Sequence, residues 1–83
     1  MRASELFPDH LNQGDFNGVT VRKGTVGAFI MNAKALAAPS ITPEARAEAE
    51  RDIIEALPAL RAVGLFDVLE VRDELLRAFV DAN

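Results

Sequence analysis

The chain has 83 residues, 49% of them hydrophobic, with no cysteine and a net charge of −4. That length makes one domain, residues 1–83, near the lower limit of what folds without staples; the missing thiols exclude disulfides and thiolate zinc sites. The apolar content excludes a disordered tail, and a staple-free domain of this size often completes its core with a second copy, so a homodimer is expected.

The first residues, Met1-Arg2-Ala3-Ser4-Glu5-Leu6-Phe7-Pro8, hold an acid and a proline where a secretory leader needs an unbroken apolar run. Ser4 could cap a short helical turn, or a turn could start at Pro8 and run through Leu11. In either case Leu6, Phe7 and Leu11 are expected on the core. Residues 13–22 read as a β-hairpin about Asn17-Gly18, a pair that tolerates the positive φ of a type I′ turn. A two-residue loop pairs Phe16 with Val19, Asp15 with Thr20 and Gly14 with Val21, placing Phe16, Val19 and Val21 on one face. The outer edge of the second strand then offers itself for antiparallel pairing across a two-fold axis.

Gly24 should turn the corner and Thr25 cap a helix over 26–37, ended by Pro39. Val26, Phe29, Ile30, Ala33 and Ala37 make one stripe, Met31 and Leu36 another; a helix this apolar predicts a buried central element. Thr42-Pro43-Glu44 supplies a cap, a proline at the first helical position and an acid against the helix dipole. The helix they open should run over 43–63, kinked or broken near Pro58, with Leu57 pushed toward extended geometry. Its inner face is Ala45, Ala49, Ile53, Ala56 and Leu57, and Arg46/Glu50 and Arg51/Glu55 are spaced for ion pairs on the outer face. Gly64 reads as its left-handed terminator, and Leu65 and Phe66 as the apolar landing beyond. Asp67-Val68-Leu69-Glu70 has capping-box spacing and predicts a last helix over 68–80, whose apolar sector exceeds what one packing partner needs.

Arginine and lysine cluster only at Arg22-Lys23-Gly24-Thr25, where free amides at a helix start could hold a phosphate or carboxylate. The order of residues is not that of a P-loop, and a turn, a cap and two solvated cations account for the same four positions. His10 beside Asp9 has no Cys or activated Ser to serve and too few neighbouring ligands for a metal. Glu44, Glu48, Asp52 and Glu55 interleave with arginines on an outer face and lack the Glu-x-x-His pairs of a carboxylate-bridged metal site.

Gly64–Asp67 between two helices has a helix-turn-helix look. Yet residues 41–83 carry ten acids against five arginines, and an acidic surface repels the phosphate backbone. Asn32 stands in the middle of an apolar helix, either solvated beside Lys34 or buried at an interface where it would fix register.

The sequence therefore predicts an α+β, mainly helical fold: an N-terminal hairpin and a bundle of three main helices. Its functional reading is a small cytoplasmic interaction protein without catalytic activity, cofactor or metal, and without a nucleic-acid or membrane partner. Val19, Val21, Asn32, Leu69, Leu76 and Val80 are its expected homodimer contacts. The alternative is a binder of a small anionic ligand at residues 22–25.

Overall fold

The computed structural model describes all 83 residues. In chain order they form α1 (Ala3–Leu6), β1 (Gln13–Phe16), β2 (Val19–Arg22), α2 (Thr25–Ala37), α3 (Pro43–Val63), α4 (Leu65–Val68) and α5 (Glu74–Ala82). The fold is α+β and mainly helical, with a two-stranded antiparallel hairpin leading into the helices.

The hairpin has the expected register, Phe16 opposite Val19, Asp15 opposite Thr20 and Gly14 opposite Val21. Asn17 (φ 50°) and Gly18 (φ 81°) both take the positive φ of the turn. On the inner face Val21 is buried and Phe16 and Val19 are half-buried; on the outer face the Thr20 hydroxyl donates to Asp15 Oδ1 at 3.1 Å. Two strands cannot stand alone in water, and this pair leans on α3. Asn17 makes the attachment specific. Its Nδ2 donates to the Ala62 carbonyl at 3.0 Å, satisfying one of the last carbonyls of α3.

The N-terminal segment corrects part of the expectation. α1 opens at Arg2, whose backbone amide donates to Glu5 Oε2 at 3.2 Å, so Ser4 lies inside the turn rather than capping it. Beyond Pro8 the chain makes only a turn, closed by the Leu11 amide on the Pro8 carbonyl at 2.8 Å. Phe7 packs edge-to-face on Phe16, ring centres 5.8 Å apart, above Gly14, where a Cβ would lie 2.9 Å from the Phe7 ring. Leu6 and Leu11 stay exposed.

α3 is the central element, not α2. It lies against the hairpin, α2 and α4, and Ile53, Leu57 and Leu60 are its fully buried side chains. With Phe29 from α2 and Val80 from α5 they form the core, and Phe66 closes it edge-to-face on Phe29 at 5.9 Å. Pro58 does not break α3, which is helical from Pro43 to Val63, Leu57 included. A proline inside a helix costs about 3 kcal/mol, while burying a leucine contributes about 1.5–3 kcal/mol. Leu57 and Leu60 flank Pro58, and their combined burial outweighs the lost hydrogen bond.

The start of α3 is capped as expected, the Ala45 amide donating to the Thr42 hydroxyl at 3.1 Å. Its end is Gly64 at φ 92°, whose amide reaches the carbonyls of Leu60 and Arg61. The inner face is as read except for Ala45, which is exposed. The spaced pairs Arg46/Glu50 and Arg51/Glu55 do not form; the one ion pair is Glu70–Arg77 at 3.4 Å.

The last helix also departs from expectation. Asp67 belongs to the single turn α4, which stops at Leu69 in extended geometry. The chain then runs without helix to Asp73, and there α5 begins, with the Leu76 amide donating to Asp73 Oδ2 at 2.8 Å. Arg61 holds the far end of α5, its guanidinium donating to the carbonyls of Val80 (3.0 Å) and Asn83 (3.3 Å). No helix is long and apolar enough to cross a membrane.

Candidate functional site

The strand-to-helix junction is built differently from the sequence reading. Gly24 occupies the N-cap position at φ 89° and no side chain caps α2. Thr25 is the first helical residue, and its hydroxyl donates back to the Arg22 carbonyl at 2.7 Å. Lys23 is drawn to the N-terminal segment: its amide donates to the Asn12 carbonyl at 2.6 Å and its Nζ to the Pro8 carbonyl at 3.3 Å. Of the two cations, Arg22 alone has no hydrogen bond from its side chain. The junction therefore offers one arginine and a helix start whose first amides lack a side-chain acceptor.

A larger feature lies elsewhere. α2 is not buried all round. Phe29 turns into the core, while Val26, Ile30 and Met31 are exposed. α5 approaches the same side, but its backbone keeps its distance from α2 and a groove of about 740 Å³ opens between them. Phe29, Ile30 and Ala33 form one wall, Leu75, Leu76 and Phe79 the other. The apolar lining continues past Ile30 and Val26 to Leu69 in a second hollow of about 180 Å³. Leu75 is 84% exposed and Leu69 58%, so both add to the exposed apolar surface of Val26 and Ile30.

Lys34, Arg46, Glu50 and Asp73 stand at the groove, two of each sign, and no serine, threonine, cysteine or histidine lines it. Its walls are suited to burying apolar side chains, and its charges to orienting what enters.

The expected interface residues divide. Val21 and Val80 are buried in the chain's own core, and Leu76 packs against that core from the groove. Asn32 and Val19 are half-buried, and Leu69 is open. Ile30, Ala33 and Leu75 were not among them, although α2's all-round apolarity was the signal: a chain of this length cannot bury both sides of such a helix.

His10 is exposed in the turn after Pro8, and Glu44, Glu48 and Glu55 are exposed along α3. No three His, Cys, Asp or Glu side chains gather as metal ligands. No family model, curated protein or solved structure matches the chain.

Proposed function

We propose that this chain is a small interaction protein without catalytic activity that works as a homodimer in the cytoplasm, using the apolar groove between α2 and α5. One quantity carries the reading. A folded monomer of 9.0 kDa should expose about 4,850 Å², and this chain exposes 6123 Å², an excess of about 1,300 Å². A standard protein interface removes about 800 Å² from each partner. Only 7 of 83 residues are buried, so cover from a partner adds materially to the core. The acidic second half argues against a nucleic-acid or anionic-membrane partner.

Light scattering after size exclusion tests the dimer: the expected mass is about 18 kDa, twice the 9.0 kDa chain. A strictly monomeric mass at tens of micromolar overturns the proposal.

A second reading, a small phosphate- or carboxylate-bearing ligand at residues 22–25, is favoured by the uncapped amides of α2 beside the free Arg22 side chain. Titrating inorganic phosphate while following amide chemical shifts separates the two. Shifts localised at Gly24–Gly27 and lost in Arg22→Ala support the anion site, and their absence removes it.

A further inference from the structure

We infer that the groove between α2 and α5 is one half of a self-complementary contact, in which Leu75 of each copy enters the groove of the other and the charges of the two rims pair crosswise. The inference rests on the homodimer reading above and specifies its face and register.

Three features of the groove point to a second copy as its occupant. The first is shape. A two-fold contact needs a projection and its receptacle on the same face, because each copy presents both. Leu75 supplies the projection: it lines the groove yet leaves 84% of its surface in solvent. The hollow of about 740 Å³ bounded by Phe29, Ile30 and Phe79 supplies the receptacle.

The second is charge. A rim of one sign would repel its own copy. This rim carries Lys34 and Arg46 with Glu50 and Asp73, so it is neutral and can pair with itself. Lys34, Arg46 and Glu50 have no oppositely charged partner within 4 Å in the chain, since the only ion pair is Glu70–Arg77. Asp73 is committed to capping α5, which leaves Glu50 as the free acid. The expected cross-pair is Lys34 of one copy with Glu50 of the other, made twice by symmetry.

The third is area. The chain as a whole exposes about 1,300 Å² more than a folded monomer of its mass, enough for the roughly 800 Å² per chain of a standard interface, and Ile30 and Leu75 of the groove are among its exposed large hydrophobics.

Sedimentation equilibrium on the full chain and four variants tests the contact. Leu75→Asp puts a carboxylate on an exposed position and should weaken self-association at least a hundredfold, with an unchanged circular dichroism spectrum. Lys34→Glu and Glu50→Lys each place like charges opposite one another and should weaken it about tenfold. Mixed in equal amounts, these two chains restore both cross-pairs, so the mixture should recover a dimer near wild-type affinity. The double variant Lys34→Glu/Glu50→Lys should do the same alone.

A wild-type chain that stays monomeric removes the dimer reading and this inference together. A wild-type dimer indifferent to Leu75→Asp overturns the inference alone and moves the dimer contact to another face. A dimer that Leu75→Asp disrupts, but whose charge-exchanged mixture shows no recovery, overturns the crosswise register.

Discussion

Asn17 does two jobs with one side chain. Its backbone tolerates φ 50° at the turn, and its amide donates to the Ala62 carbonyl at the end of α3. The two contributions can be separated. Asn17→Gly keeps the positive φ and loses only the hydrogen bond, so urea denaturation should show a loss of about 0.5–1.5 kcal/mol. Asn17→Ala loses both and should cost about 1–3 kcal/mol. Equal losses would mean that the turn geometry contributes nothing. Gly64 is constrained in a different way. At φ 92° an added Cβ would also meet Asp67 Oδ2 at 3.1 Å, so the residue that ends α3 also permits the tight entry into α4.

Among the elements, Pro58 and Asp73 make opposite predictions. Pro58 is exposed on α3, and its ring forfeits the bond that a helical residue would give the Ile54 carbonyl. Pro58→Ala should raise stability by about 1–2 kcal/mol in chemical denaturation, the helix gain being partly offset by a freer unfolded chain. Asp73→Ala removes the cap of α5 and should cost about 1 kcal/mol, read in the same experiment. The hairpin register, Thr42's cap and Gly64's terminator were legible because each depends on a few adjacent residues whose backbone preferences agree. Whether Pro58 breaks α3 was not, because the burial of Leu57 and Leu60 against distant residues decides against the local penalty. Asp67 and Asp73 each precede an apolar stretch, and local chemistry cannot choose between them. Packing of Leu65 and Phe66 on the core holds α4 to one turn and moves the start of the last helix to Asp73. The groove was the least legible feature. Its walls and rim come from positions 29 to 79 on three helices, and no local motif brings them together.

For the whole molecule, shape and exposure agree. The radius of gyration is 13.7 Å, against about 12 Å for a globular chain of this length. The molecule is 39 Å long and 24 by 21 Å across, with the hairpin, α2 and α4 gathered on α3. A protein that completes its core by self-association shows thermal stability that depends on concentration. The midpoint should rise by about 2–5 °C for each tenfold increase in protein concentration. Leu75→Asp should flatten that dependence, and a wild-type midpoint independent of concentration would contradict the dimer.

The stretch between α4 and α5 has a consequence for cleavage by proteases. Leu69 to Asp73 carries no helix, and Arg72 sits in it exposed, as does Lys23 in the turn before α2, while Lys34, Arg46, Arg51, Arg61 and Arg77 lie within helices. Trypsin requires an accessible backbone free of helix, so early internal cuts should fall after Lys23 and after Arg72, the second freeing residues 73–83. The nick severs α5 from the chain and takes Leu75, Leu76 and Phe79 from the groove. After the nick, Val80 in the core and the Arg61 guanidinium hold the freed α5 in place. Digestion that slows as the protein is concentrated would make Arg72 a built-in gauge of assembly.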